Sequence, residues 1–192
     1  MTKSIINSLL MVLVMTLLTG LAYPLAMTGL AQALFPAQAN GSLITQNGKI
    51  IGSKLIGQNF SSPGYFHSRP STAGSEGYDA TASAGSNLGP TNQKLKDTVN
   101  ENLAAVRSDN NLPAHTPVPG DLVLASASGL DPHISPEAAY IQVERVAKER
   151  DLNAAEIKAL VAMHTEGRQL GFLGEPRVNV LELNLALDTM KQ

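Results

Sequence analysis

The stretch "IINSLLMVLVMTLLTGLAYPLAM", residues 5–27, decides how this chain is organised. No Asp, Glu, Lys, Arg or His occurs between Ser4 and Gly48, and aliphatic residues and methionine dominate residues 5–25. At a rise of 1.5 Å per residue, a helix over residues 5–23 is about 28 Å long, which matches the hydrocarbon core of a bilayer. The stretch therefore predicts one transmembrane helix over residues 5–27.

A cleaved signal peptide is the competing interpretation, because Ala37-Gln38-Ala39 has the small-x-small form that signal peptidase accepts. The apolar region is longer than a usual signal-peptide core, and Ala39 lies far beyond its end, so an uncleaved anchor is preferred. Lys3 is the only charge on the short N-terminal side, which favours a cytoplasmic N-terminus. Residues 1–4 are then a cytoplasmic tip, 28–40 a juxtamembrane connector and 41–192 an external, periplasmic domain.

Small and polar side chains along the predicted span would let a second transmembrane helix approach closely and exchange hydrogen bonds with it. The alternative is that the serine and threonine hydroxyls bond to carbonyls of their own helix. The residues concerned are Asn7, Ser8, Thr16, Thr19 and Gly20.

Composition limits what the external part can be. About 150 residues suit one compact domain. The formal net charge of −2 provides no basic face for phosphates, so nucleic-acid binding is not expected. Cysteine is absent, which excludes disulfides, thiolate metal sites and a cysteine nucleophile.

Short strands are predicted near the start of this domain. "LITQNGKII", residues 43–51, places apolar and β-branched residues on both sides of Asn-Gly, the pair that suits a type I′ hairpin turn. "GSKLIGQNF", residues 52–60, is a candidate for another short strand. "DLVLASASG", residues 121–129, is a further candidate.

Four helices are predicted later in the chain. Residues 91–107 place Leu95, Val99, Leu103 and Val106 on one face. The other three helices have N-terminal capping patterns: Ser135-Pro136-Glu137, Asn153 with Glu156, and Asn179 with Glu182. The fold class is therefore α+β, with strands and a long loop first and helices later.

The long polar loop, residues 61–93, has the composition of a catalytic loop, since His, Arg, Asp and many Ser lie among Gly and Pro. No G-x-S-x-G turn or phosphate-binding Gly-Lys motif occurs in the chain, and the four histidines lack metal-ligand spacing. The best nucleophile candidate is Ser128, with Asp131 and His133 close by in sequence. That segment is more simply a polar turn leading into a helix cap.

Aromatic residues separate this loop from a solvated linker. A disordered segment of Gly, Ser and Ala contains few aromatic residues, whereas this loop has Tyr65, Phe66 and Tyr78 and also Arg69. Buried backbone in such a loop needs hydrogen bonds from Ser, Thr and Asn side chains. The composition therefore predicts an ordered interaction loop.

Four blocks occur in order along the chain: the apolar span, "YFHSRPS" with "YDATASAGSNLGPTN", "GLDPHISPEAAYIQVERVA", and "GFLGEPRVNVLELNLALD". In this order they resemble the C subunit of the Kdp potassium-transporting ATPase, and the resemblance covers nearly the whole length. It implies a single-span accessory subunit of a bacterial inner-membrane complex that imports K⁺ using ATP.

The resemblance also implies the partners and their roles. A channel-like A subunit conducts K⁺, a P-type ATPase B subunit is phosphorylated on aspartate, and a small F subunit spans the membrane once. The C subunit is then non-catalytic and holds no cofactor itself, while the whole complex uses ATP, Mg²⁺ and K⁺. The implied roles are assembling the complex, covering or assisting the K⁺ entrance outside, and aiding ATP-driven turnover. The rival interpretation is a membrane-anchored periplasmic hydrolase that uses Ser and His.

The matched blocks supply candidate interface residues. We expect the first blocks to pack together and contact the A subunit, with Arg69 or His67 hydrogen-bonding across the interface. The alternative is that Arg69 braces the loops of its own domain. The candidates are Tyr65, Phe66, His67, Ser68, Arg69, Pro70, Tyr78, Asp79, Asn87 and Asn92.

Overall fold

A computed structural model describes residues 2–190. The chain folds as two compact units, one ending at Ile51 and the other beginning at Gly52. The hairpin that follows residue 41 lies almost wholly in the first unit, and the sequence-based boundary between connector and external domain stays a prediction.

The first unit is dominated by one long apolar helix. It consists of α1 (Thr2–Leu17), a π-helical turn (Leu18–Ala22) and α2 (Tyr23–Leu34). This is the one helix among the described residues that is long and apolar enough to cross a membrane. Its described side chains are exposed apart from Ala31, which is half-buried. The helix continues through the first half of the predicted connector and ends before α3 (Pro36–Ala39).

Pro24 explains the wide π-helical turn that precedes it. A proline inside a helix lacks the backbone N–H, and its ring clashes with the carbonyl four residues earlier, here that of Gly20. Widening the turn relieves that clash, and the Tyr23 amide bonds to the Leu18 carbonyl five residues back. Thr19 Oγ1 donates to Met15 O at 2.7 Å, so this hydroxyl bonds to its own helix.

A hairpin follows the helix, as the sequence predicts. Strands β1 (Leu43–Gln46) and β2 (Lys49–Ser53) pair in a two-stranded sheet. Asn47 and Gly48 form the turn with φ of 51° and 76°, the positive values that a type I′ turn requires.

The second unit is built around a small antiparallel sheet with the order β3-β5-β4. Its strands are β3 (His133–Ile134), β4 (Thr165–Glu166) and β5 (Arg177–Asn179). Val178 lies opposite Ile134 on one side and Thr165 on the other. The fold is α+β as predicted, but these strands are interleaved with the later helices rather than preceding them.

Four helices complete the second unit: α4 (Gln93–Asp109), α5 (Pro136–Arg150), α6 (Ala154–Met163) and α7 (Val180–Thr189). The three predicted caps are confirmed, because Ser135, Asn153 and Asn179 accept from backbone amides of the first turns. The core contains buried side chains of α5, α6, α7, the sheet and the loop that precedes α4.

Two predicted strands are wrong. Residues 121–129 form a 3₁₀ turn (Gly120–Leu122) followed by bends, because the Asp121 carboxylate accepts from Ser135 N at 2.5 Å and fixes this segment at the start of α5. Beyond the end of β2, residues 54–56 form a turn and a bend, and residues 57–60 have no regular secondary structure. Gly57 lies so close to the Asp131 carbonyl that an added Cβ would be 2.7 Å from that oxygen.

Candidate functional site

The polar loop before α4 is ordered by two amides that project from helices. Asn184 Oδ1 accepts from Phe66 N at 2.9 Å, and its Nδ2 donates to Phe66 O at 3.0 Å. Gln142 makes the same pair of hydrogen bonds with His67: its Oε1 accepts from His67 N at 2.7 Å, and its Nε2 donates to His67 O at 3.2 Å. Both side chains are 1% exposed, so they replace the hydrogen bonds that a neighbouring strand would supply.

Phe66 is therefore a core residue. Its side chain is fully buried in the main apolar cluster, although the sequence suggests a place at the partner interface. The correction has a simple cause, since the two amides pull the loop onto α5 and α7 at this point. The Phe66 side chain anchors the loop to the core of the unit, and in this conformation no partner can contact it.

Two arginines of α5 fasten the segment just before Phe66. Arg145 Nη1 donates to the carbonyls of Pro63 and Tyr65, the latter at 2.9 Å, and Nε donates to Asn110 Oδ1 at 3.0 Å. Burial lowers the pKa of Arg145. Because a guanidinium donates in a rigid fork, one side chain fixes carbonyls of the loop and the C-terminal cap of α4 together.

The second arginine, Arg150, holds the same segment from the other end of the helix. Its Nε donates to Gly64 O at 2.6 Å, and Nη2 pairs with Asp188 Oδ1 at 2.7 Å. Its guanidinium lies 4.4 Å from the centre of the Tyr65 ring, whose hydroxyl donates to Asp188 Oδ2. Tyr65 is thus engaged within the chain by its ring and its hydroxyl.

Arg69 braces the domain's own loops. Its Nη1 lies 3.0 Å from Asp131 Oδ2, and His133 Nδ1 lies 3.4 Å from the other carboxylate oxygen. Burial alone would raise the pKa of Asp131, but the hydrogen bonds from His133 and the positive charge of Arg69 outweigh it and lower the pKa. Arg69 Nε is buried and has no hydrogen-bond partner among the described residues.

Tyr78 closes the loop over Arg69. Its hydroxyl donates to the Arg69 carbonyl, and its amide donates to Ser71 Oγ at 2.8 Å. Ser71 Oγ in turn donates to Gly129 O at 2.6 Å. Tyr78 has a φ of 59°, a strained value for an aromatic residue that these bonds hold in place. Burial raises the pKa of its phenol.

The remaining predicted residues are spread along the exposed second half of the loop. Asp79 Oδ1 accepts from the amide and hydroxyl of Thr81, which lower the pKa of that carboxyl. Asn87 adopts a left-handed conformation, and Asn92 caps α4 by accepting from Lys94 N. All three residues are exposed, and each determines the backbone conformation only of its immediate neighbours.

One cleft brings several predicted residues together. It has a volume of about 390 Å³ and lies between the loop and α4, with Asp109 and Asn102 on the helix side. On the loop side, desolvation and the charge of Arg145 lower the pKa of His67, so its imidazole stays neutral more readily. The predicted residues that line the cleft are His67, Ser68, Arg69, Pro70 and Tyr78.

The structure offers little for hydrolysis. Ser128 Oγ accepts from Leu130 N and lies 3.4 Å from Ser126 Oγ, and no hydrogen bond joins it to His133 within residues 2–190. In the same part of the chain no group of three or more His, Cys, Asp or Glu side chains is arranged to hold a metal ion. His164 caps the end of α6 with its Nδ1 at 3.0 Å from Leu160 O, as basic side chains near the C-terminus of a helix commonly do.

The chain is similar to known proteins over almost its whole length. A family model described as KdpC, K⁺-transporting ATPase, c chain, matches residues 5–189. A potassium-transporting ATPase KdpC subunit of Koribacter versatilis is 57% identical, over 98% of this chain and 95% of the relative.

Two further relatives carry the same name. The KdpC subunit of Gemmatimonas aurantiaca is 56% identical over 95% of this chain and 91% of its own length. That of Mycobacterium tuberculosis is 53% identical over 99% and 100%. The resemblance drawn from the four sequence blocks is confirmed, and the chain belongs to the KdpC family.

Proposed function

We propose that this chain is a non-catalytic, single-span accessory subunit of a K⁺-transporting P-type ATPase complex. The observation that carries this proposal is identity of 53% or more with potassium-transporting ATPase KdpC subunits over nearly all of both chains. The other subunits would be the channel-like A subunit, the ATPase B subunit that carries the phosphorylated aspartate, and the small F subunit. ATP, Mg²⁺ and K⁺ would be used by those partners.

The hydrogen bonds and ion pairs of the polar groups in and around the loop support a role without catalysis. Arg145, Arg150 and Tyr65 are occupied by bonds within the unit, and the Asp131 carboxylate is shared between Arg69 and His133. Groups held in this way stiffen a surface, whereas a nucleophile needs a base beside it and room for substrate. A stiff external unit suits assembly of the complex and placement over the K⁺ entrance.

A membrane anchor is the second part of the proposal. We place the N-terminus in the cytoplasm, the helix across the inner membrane and the second unit in the periplasm. The family match begins at residue 5, so it includes the apolar helix, which supports retention of that helix. Asn7, Ser8, Thr16 and Gly20 are exposed on the helix and stay candidates for packing against a partner helix.

Co-purification tests the subunit assignment. The full chain with a C-terminal affinity tag is recovered from gently solubilised membranes, and we expect two larger membrane proteins with K⁺-stimulated ATPase activity to accompany it. An isolated chain with hydrolase activity would contradict the proposal. The intact mass of the recovered chain shows whether the N-terminal helix is retained.

The same preparation tests the loop interface. If Arg69 contacts a partner, Arg69→Ala lowers recovery of the larger subunits and K⁺ uptake. Unchanged recovery and uptake would leave Arg69 with its pairing to Asp131 alone.

Topology is testable because the chain has no cysteine. Single variants Thr2→Cys and Ser75→Cys place one exposed thiol before the helix and one in the second unit. In right-side-out vesicles, we expect a membrane-impermeant maleimide to label Ser75→Cys at once and Thr2→Cys only after detergent is added. The opposite pattern would reverse the orientation, and labelling of both without detergent would remove the span.

A further inference from the structure

The loop that joins β4 to β5 ends in an exposed apolar tip. Leu170, Phe172 and Leu173, hereafter the apolar tip, are 84%, 69% and 47% exposed. They belong to the block "GFLGEPRVN" and its preceding residues, which contribute nothing to the cleft beside α4. Large apolar side chains grouped at one exposed point indicate a contact surface rather than a chance exposure.

The apolar tip is held in one conformation. Gln169 and Leu173 exchange two backbone hydrogen bonds of 2.9 Å, and Gly171 N donates to Arg168 O at 3.1 Å. Two ion pairs brace the base of the loop, Arg168 with Glu175 at 2.6 Å and Arg177 with Glu166 at 2.9 Å. The side chains are therefore presented by a fixed backbone.

Leu170 is an unusual choice at its position. Its φ is 53°, in the left-handed region where Gly, Asn and Asp are at lower energy than leucine. Across residues 2–190 it is the only aliphatic side chain with such a φ. Asparagine would suit both this backbone and the surrounding water better, so neither the turn nor packing within the unit accounts for leucine.

We propose that the apolar tip inserts into an apolar pocket on the outer face of another protein subunit of the same complex. This inference rests on the proposed function, which supplies the partner subunits. A protein pocket gains affinity from a preorganised loop, because the ordering cost is already met in the free chain. An apolar centre that includes an aromatic ring, surrounded by polar side chains, is the usual arrangement of such a contact.

A lipid surface fits the apolar tip less well. Residues 163–177 contain no Trp, Tyr or Lys, the residues that favour the bilayer interface. Arg168 and Arg177 are each paired with a glutamate, so neither offers a free charge to lipid phosphates. Fluid hydrocarbon also imposes no particular loop conformation, whereas this loop has one.

Leu170→Asn in the full chain tests the proposal. Asparagine keeps the left-handed backbone and removes the apolar side chain, so the unit should fold as before. Loss of one buried leucine should accelerate release of the tagged chain from its partner subunits by about 10- to 100-fold. The matched control is Leu55→Asn, which changes a leucine that is 62% exposed elsewhere on the same unit and should leave release unchanged.

A photo-crosslinking amino acid in place of Phe172 identifies what the apolar tip touches. An adduct with a larger subunit supports the proposal, whereas lipid adducts alone or no adduct would overturn it. If the unmodified chain brings no partner subunits, the proposed function and the inference fail together. If it brings them and Leu170→Asn is released no faster than Leu55→Asn, only the inference fails.

Discussion

Phe66→Ala is expected to lower the free energy of unfolding of the second unit by about 3–5 kcal/mol, the usual cost of replacing a buried phenylalanine by alanine. The ring is fully buried in the main apolar cluster, and its backbone is held by both polar atoms of Asn184. Those two hydrogen bonds keep the backbone from collapsing into the space that the ring leaves. The cavity should therefore stay open, which places the effect at the upper end of this range.

Near-ultraviolet circular dichroism of the detergent-purified full chain measures this loss during chemical unfolding. The chain has no Trp, and three of its four Tyr residues lie in the second unit, so the signal is little affected by the apolar helix. The matched control is Phe172→Ala, which removes a ring that is 69% exposed and should change the unfolding free energy by less than about 0.5 kcal/mol. Equal effects of the two variants would contradict the buried position of Phe66.

Local signals predicted the elements that depend on neighbouring residues in the chain. The Asn47-Gly48 turn and the caps Ser135, Asn153 and Asn179 each need only a few consecutive residues, and each is found where the sequence places it. The long helix was equally readable, because an uncharged apolar run has few other uses. Its end at Leu34 also has a local signal, because Pro36 disfavours helical backbone at Phe35, whereas nothing at residue 27 ends the helix.

The central sheet could not be read from the sequence. Strands β3 and β4 have two residues each and β5 has three, which is too short for the alternation of apolar and polar residues to register. They form a sheet because Val178 finds partners on both sides from distant parts of the chain. The wrong strand at residues 121–129 has the converse cause, since a distant bond to Asp121 overrides local propensity.

The sequence predicted that the polar loop is ordered, but not which residues hold it in place. Aromatic residues showed that the polar loop is ordered, but not that Phe66 faces inward. The residues that hold the loop, Asn184, Gln142 and Arg145, were missed because they lie on helices far away in sequence. The available signals were two uncharged amides among apolar neighbours, Asn184 within residues 183–187 of α7 and Gln142 between Ile141 and Val143 of α5.

Arg145→Ala is expected to destabilise the second unit by about 3 kcal/mol or more. It would leave the buried side chain of Asn110 and the partly buried carbonyls of Pro63 and Tyr65 without their donor, and hydrogen bonds to a charged group are among the stronger ones. Arg145→Lys should recover part of the loss, because an ammonium group keeps the charge but cannot reproduce the planar fork.

The location of the damage distinguishes this variant from Phe66→Ala. Hydrogen exchange should rise first at the amide of His67, because Gln142 Oε1, which accepts from His67, also accepts from Arg145. The matched control is Arg168→Ala, whose exposed pair with Glu175 should contribute less than about 1 kcal/mol. If exchange in the loop stayed at the wild-type rate while the whole unit lost stability, Arg145 would be a packing residue of α5 and not the fastener of the loop.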